Sequence, residues 1–295
     1  KFKIMMEHIP ILVLVISFIC LLAIGTPVAW SIAISSLLTM LVSIPAMPAF
    51  TTVSQRMATG LDSFALLAIP FFILSGELMN KGGIAHRLIA FAKTLVGSLP
   101  GGLALINVIA AMLMGAIAGS AMASASAMGS ILGPEMEKEG YSKEFGAAVN
   151  ITSATTGLII PPSNVLIVYS LASGGASIAA LFLAGYIPGI ITGLFLMIVA
   201  ALWAKKKKYK VGKRSSFKEI VKTFIDALPS LFMLVVVIGG IVTGIFTATE
   251  ASAIAVVYSL ILGFIYKEIT FPKLPQILLD SSATTAIVML LIGSS

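Results

Sequence analysis

The chain has 295 residues, 58% hydrophobic and only 11% charged, with a mean hydropathy of +1.08; a soluble domain would be about 45–50% apolar and about 25% charged. These proportions exclude a water-soluble enzyme and a disordered chain, and the lack of polar–apolar alternation excludes an outer-membrane barrel, which leaves an all-α polytopic membrane protein. The net charge of +7 does not point to nucleic acid, because nine of the 19 Lys and Arg fall between Lys205 and Lys222, a block that suits a cytoplasmic loop or contact with anionic lipid headgroups.

In chain order, the first apolar stretch, Ile9 to Ile44, would be about 54 Å long as one helix, against a hydrocarbon core of about 30 Å. It must turn back, and Gly25-Thr26-Pro27 is where helix-ending and helix-starting residues meet. Two short spans, about 9–24 and 28–44, are predicted. A third runs from about Ser63 to Met79, with Glu77 and Lys81 spaced for an i,i+4 ion pair at its end. Ile84 to Ser98 mixes His86, Arg87 and Lys93 with apolar residues and reads as an amphipathic helix along the interface.

The 34 residues from Gly101 to Pro134 carry no charge, and neither do the 60 from Phe145 to Ala204. Both are too long for single spans. The first is read as a re-entrant hairpin over about 101–134 that breaks at Gly119-Ser120, where small residues let backbones approach. Ordinary small-residue packing at Gly115 and Gly119 is the competing account, and the uncharged length favours the hairpin. The second is divided into a helix of about 145–173, broken between Gly157 and Asn164, and a span of about 178–203. Pro161 and Pro162 remove two amide donors, so carbonyls near Gly157 and Ile160 are expected to lose their helical partners and become hard oxygen ligands. Together with hairpin hydroxyls such groups suit Na⁺, and the half-helix beginning at Ser163-Asn164 presents amides to a carboxylate. Asn107 and Asn150 are expected to bond between helices, with Asn150 close enough to the break to line a cavity. Gly157→Ala or Ser120→Ala is expected to reduce sodium-dependent uptake with little effect on expression.

After the basic loop come spans of about 227–246 and 250–266, a connector from Lys267 to Pro275 and a last segment of about 277–293. Thr247 and Glu250 fit a capping box. The octet Asp62–Ile69 resembles Asp280–Ile287 at five positions, and Thr26-Pro27-Val28-Ala29 is paired with Thr249-Glu250-Ala251-Ser252. With the two copies running in opposite senses, this predicts the inverted repeat of a secondary transporter. The domain reading is therefore 1–62, scaffold spans of the first repeat; 63–100, third span and interfacial arm; 101–175, hairpin and broken helix; 176–226, connecting span and basic loop; and 227–295, the start of the second repeat. By this count the chain stops about where a second hairpin should begin. Cys20 is the only cysteine and His8 and His86 lie far apart, so neither a disulfide nor a metal cluster is expected. No carboxylate pair or Ser–His arrangement in the spans supports enzyme chemistry.

At these segments the sequence resembles the large membrane subunit of tripartite ATP-independent periplasmic (TRAP) transporters, within the broader ion-transporter superfamily. The most specific carriers are the run Leu67–Gly83, the Gly119-Ser120-Ala121 tip, Ile159–Ser163 and Phe246–Ala251. The resemblance implies an elevator-type sodium symporter of the bacterial inner membrane. It imports an organic acid anion, such as a C4-dicarboxylate or sialic acid, with a small four-helix membrane subunit and a periplasmic substrate-binding protein and without an organic cofactor. Sodium ligands carried over by the resemblance are Gly119, Ser120, Gly157, Ile160 and Pro162, with Ser124 added, although many members carry an acidic residue there. Ser120, Asn150, Ser163 and Asn164 are the candidate substrate contacts. The alternatives are a carrier of the same superfamily that needs no binding protein, and a channel or scaffold subunit.

Overall fold

The computed structural model describes residues 2–212 and 214–295; Lys1 and the side chains of residues 2–8, His8 included, lie outside what is described. Every regular element among these residues is helical: α1 Phe2–Ala23, α2 Val28–Ser43, α3 Ala46–Leu61, α4 Ala68–Lys81, α5 Ile84–Val96, α6 Gly102–Ala118, α7 Ala121–Lys138, α8 Lys143–Ala154, α9 Thr156–Ile159, α10 Asn164–Ala172, α11 Ile178–Lys207, α12 Phe217–Val242, α13 Ala248–Ile265 and α14 Leu274–Ser294, with 3₁₀ turns at Phe64–Leu67 and Phe271–Lys273. Among the described residues, five segments are long and apolar enough to cross a bilayer: Phe64–Lys81, Ile178–Lys207, Phe217–Val242, Ala248–Ile265 and Phe271–Ser294. The pair Lys143–Ile159 and Asn164–Ala172, bent by 51°, makes a sixth if taken as one span. Large apolar side chains such as Ile187 (69% exposed) and Phe195 (64%) stand outward from α11, as a lipid-facing helix requires. The chain is an all-α polytopic membrane protein.

By internal packing it divides into two compact units, one from α1 to Leu66 together with Ala283–Ser295, the other Leu67–Ser282. In the first, α1 and α2 form an antiparallel pair around Gly25, whose φ of +87° ends α1 where the Gly-Thr-Pro signal placed the turn. α3 has no counterpart in the sequence reading, which gave 45–62 no element. Its Thr, Ser and Gln residues keep its hydropathy below a span's, and only Ala49 is buried.

In the second unit α4 packs along α13, and α6 is the central helix, touching α4, α5, α7, α8, α9 and α11. α6 is accordingly buried nearly all round, from Gly102 to Ala118. α5 buries one face, Ile84, Ala85, Leu88, Ile89 and Ala92, as its amphipathic pattern predicts. Six helices, α7, α8 and α10 to α13, begin with a Ser or Thr whose hydroxyl accepts an amide of its own first turn.

Several expectations change. The basic block is not one loop: α11 continues through Lys207, and α12 starts at Phe217 behind a Ser216/Glu219 capping box, which leaves 208–216 between them. Glu77 and Lys81 make no ion pair; the pairs formed among the described residues are Lys93–Glu135 at 2.5 Å and Lys143–Glu137 at 3.6 Å. The matched octets differ in local structure. Asp62 ends α3 before a 3₁₀ turn, whereas Asp280 lies inside α14. The paired helix starts are also three positions out of step, because Pro27 is the N-cap of α2 while its assigned partner Glu250 is the third residue of α13. The Thr247/Glu250 capping box is present as read, with Glu250 Oε2 accepting the Thr247 amide at 2.7 Å.

Candidate functional site

The hairpin breaks at the expected place for a local reason. Gly119 closes α6 in the left-handed region, φ +60°, with its amide donating to the Gly115 carbonyl at 2.7 Å. Ser120 then swings to extended backbone, and its Oγ accepts the Ala123 amide at 3.3 Å to start α7. A positive-φ glycine followed by an N-capping serine reverses the chain within two residues. Gly119 is buried and Ser120 half-buried.

The second break runs from Ile160 to Ser163. Ile160 is extended (φ −77°, ψ 122°), and the Pro161-Pro162 bond is cis. The Leu158 carbonyl, deprived of a helical donor by the prolines, is taken by the Ser163 hydroxyl, which also accepts the Leu166 amide at 3.3 Å to cap α10. That carbonyl is therefore satisfied inside the break instead of being left for an ion. Ser163 is fully buried and committed as both donor and acceptor.

The two breaks meet. A Cβ on Gly119 would lie 2.9 Å from the Pro162 carbonyl oxygen and 3.5 Å from the Asn164 amide nitrogen. The Asn164 amide itself points to the Gly119 carbonyl over 3.5 Å. One helical turn below, Gly115 and Gly157 are packed backbone to backbone, since a Cβ on either would lie 2.0 or 2.5 Å from the other's Cα. Small-residue packing and chain breakage, set against each other in the sequence, occur in the same hairpin. α4 closes the tip from another side: Gly76 faces Ala118, whose Cβ lies 2.9 Å from where a Gly76 Cβ would be.

The broken helix and α6 are also seated on a stripe of glycines that the sequence reading passed over. Along α11, Gly185 meets the Ile159 carbonyl, Gly189 the Ile160 side chain and Gly193 the Met112 sulfur, each at 2.4 Å or closer to a Cβ built there. The i, i+4, i+8 spacing was the available signal.

Gly119, Ser120, Pro162 and Asn164 thus converge at the crossing, with Gly157 and Ile160 supporting it from behind. Ser124 and Asn150 are not brought to it. Ser124, fully buried, donates to the Ala111 carbonyl at 3.2 Å and ties the two hairpin arms together. Asn150 donates from Nδ2 to the Ala125 carbonyl at 2.8 Å, an interhelical bond as expected, and lines a separate cavity with Asn107. At the crossing the side-chain oxygen of Asn164 is buried without a hydrogen-bond partner. Buried polar atoms are rarely left so, and here the orphan is an oxygen beside two backbone breaks.

Each break brings a carbonyl-bearing helix end and an amide-bearing helix start together. The C-terminus of α6 and the N-terminus of α7 meet at Gly119-Ser120, and the C-terminus of α9 and the N-terminus of α10 meet across Pro161-Pro162. Helix ends carry about half an elementary charge, negative at the C-terminus and positive at the N-terminus. The arrangement offers oxygens to a hard cation and amides to an anion without a charged side chain. Among the described residues, no group of three or more His, Cys, Asp or Glu side chains gathers in the way a transition-metal site needs.

Residues 15–295 match the protein family described as "Tripartite ATP-independent periplasmic transporter, DctM component". Among curated proteins, the chain is 57% identical over 286 residues to the uncharacterized protein YgiK of Salmonella typhimurium, covering 97% of this chain and 66% of that one. It is 37% identical over 291 residues to the C4-dicarboxylate TRAP transporter large permease protein DctM of Rhodobacter capsulatus, covering 94% and 66%. With the sialic acid TRAP transporter large permease protein SiaM of Vibrio cholerae it shares 38% over 240 residues, covering 81% and 56%. The chain thus spans just under two thirds, or less, of these relatives' length.

Proposed function

The chain belongs to the DctM family of tripartite ATP-independent periplasmic transporters, multi-pass proteins of the bacterial inner membrane, and from that premise we propose that it serves a sodium-coupled importer of an organic acid anion as part of its large membrane subunit. The carrying observation is the crossing of the two breaks, where Gly119 abuts Pro162 and Asn164 and an Asn164 oxygen is buried without a partner. On this reading the Gly119 and Pro162 carbonyls and the Asn164 side-chain oxygen hold Na⁺, with the Ser120 hydroxyl beside them. The N-termini of α7 and α10 receive the substrate carboxylate. Ser163 keeps α10 aimed at the crossing, and Gly157 and Ile160 keep the break against α6 and α11.

Occupation of both positions neutralises the opposed helix ends together, which is how ion and anion binding are coupled at one place. The hairpin and broken helix then carry the load across as a unit, the elevator movement. A C4-dicarboxylate and sialic acid are the substrate classes that relatives of nearly equal identity bring to this chain. A small four-helix membrane subunit and a periplasmic binding protein complete the proposed assembly.

The test is uptake into proteoliposomes that contain the full-length subunit and its small partner, offered C4-dicarboxylates and sialic acid. Each acid is tried with and without the binding protein and an inward Na⁺ gradient. Accumulation that requires both supports the proposal. Accumulation with Na⁺ alone indicates a carrier that needs no binding protein, and downhill flux alone indicates a channel.

A further inference from the structure

The ends of α4 and α13, the start of α5 and the first half of α12 border a cavity of about 700 Å³ whose lining includes Lys81, His86, Arg87, Asp226 and Glu268. Lys81, Asp226 and Glu268 are exposed and Arg87 is half-buried. None of these four takes part in the ion pairs formed among the described residues, which are Lys93–Glu135 and Lys143–Glu137. The Arg87 guanidinium lies 3.5 Å over the Tyr266 ring and gives one N–H to the Gly83 carbonyl at 3.0 Å. Its plane is thereby fixed while most of its donors stay unused, the state in which a guanidinium best receives a phosphate. Gly83 leaves the floor open, since a Cβ there would lie 2.9 Å from the Glu268 side chain and 3.2 Å from the guanidinium.

The apolar limits of three spans meet at this cavity. Lys81 is the last residue of one span, and Glu268 follows the end of another at Ile265 by three positions. α12 has 26 residues, about 39 Å against a hydrocarbon core of about 30 Å, so its first turns stand outside the core. Asp226 is the last charged residue of that helix, and Ala227 to Val242 carry none. The cavity therefore stands at the depth of lipid headgroups.

Two permanent cations and two carboxylates, unpaired along one lining, suit a ligand that carries both signs. A purely anionic group meets Asp226 and Glu268, and a purely cationic one meets Lys81 and Arg87. We infer that this cavity binds the headgroup of a bilayer aminophospholipid, a phosphodiester joined to a primary ammonium. The phosphate accepts from Lys81 and Arg87, and the ammonium donates to Asp226 and Glu268. This site shares no residue with the crossing and does not depend on sodium coupling.

The test is the thermal midpoint of the full-length subunit with its small partner, stripped of lipid in an uncharged detergent. Phosphatidylethanolamine, phosphatidylcholine and phosphatidylglycerol with the same acyl chains are titrated, beside soluble phosphoethanolamine. Choline's trimethylated nitrogen donates no hydrogen bond, and glycerol carries no positive charge. Wild type is expected to reach half-maximal stabilisation with phosphatidylethanolamine at about one tenth of the concentration that the other two lipids need. Asp226→Asn is expected to erase the advantage over phosphatidylglycerol without weakening the response to phosphatidylglycerol itself. Arg87→Gln should weaken both responses, and Lys81→Gln makes the same test if loss of the Tyr266 contact prevents folding. Equal responses to the three lipids in wild type, or a preference that survives Asp226→Asn, overturn the inference. Stabilisation by soluble phosphoethanolamine equal to that by the lipid overturns the bilayer as its source.

Discussion

Gly119 meets two constraints that alanine does not: a φ of +60° and a Pro162 carbonyl oxygen 2.9 Å from where a Cβ would sit. The left-handed conformation alone costs an L-residue about 1–2 kcal/mol, and relief of the contact moves the tip away from Asn164. Gly119→Ala is therefore expected to lower sodium-dependent uptake by about tenfold or more. Gly239→Ala, on α12 with open space around it, serves as the control and should transport as wild type does. Ser163 is the residue whose role the structure changes most. The sequence offered it as a substrate ligand, and it is instead the capping hydroxyl that closes the Leu158 carbonyl and starts α10. No single sequence can reveal which freed carbonyl a nearby hydroxyl will take, since that depends on how sharply the chain bends.

At the scale of elements, the contact between α6 and α9 has no room for a methyl group on either side, with Gly157's virtual Cβ 2.5 Å from Gly115 Cα. The expectation that Gly157→Ala leaves expression nearly unchanged gives way to a structural one. Gly157→Ala should lower the thermal midpoint of the detergent-purified protein along with its uptake, because the two backbones must separate by overpacking, at a cost of about 1–3 kcal/mol. An unchanged midpoint would show that the contact yields freely. Much of this architecture was legible in the sequence. The hairpin break, the proline break and the Thr247 cap each follow from residues with one strong local preference, placed inside apolar runs that fix the period. α3 was not read, because its Thr, Ser and Gln residues lower its hydropathy below a span's, although its apolar residues do recur on one helical face. The start of α12 was missed for a different reason: Ser216-Phe217-Lys218-Glu219 is a capping-box sequence, but the surrounding lysines drew it into a loop. The glycine stripe of α11 was hidden by the helix's uniform hydropathy, which records composition and not facing.

For the whole molecule, an aromatic cluster ties the turn between α7 and α8 to the end of α11. Tyr141 stacks on Tyr209 at 4.2 Å, Phe145 faces Trp203, and the Tyr209 hydroxyl receives the Ser142 amide at 3.4 Å. Burial raises the Tyr141 phenol above its ordinary value, and the charges of Glu139 and Tyr209 add to the shift, against a lowering backbone hydrogen bond with Leu103. A phenol whose folded value is raised contributes stability that is complete below its ordinary titration near pH 10 and is lost as pH climbs through the folded value. The thermal midpoint of wild type is expected to fall more steeply above about pH 10 than that of Tyr141→Phe, a comparison that cancels the titration of the lysines. The crossing itself lies at the other extreme. No Asp, Glu, His, Lys, Arg or Cys occurs from Gly101 to Pro134 or from Phe145 to Ala204, so both breaks are built from stretches with nothing that ionises below the tyrosine range. On the proposed reading, the groups that select charge at the crossing are backbone dipoles with the Asn164 amide oxygen and the Ser120 hydroxyl, none of which titrates below the tyrosine range. The two breaks therefore bring no titrating group of their own to the place where they meet.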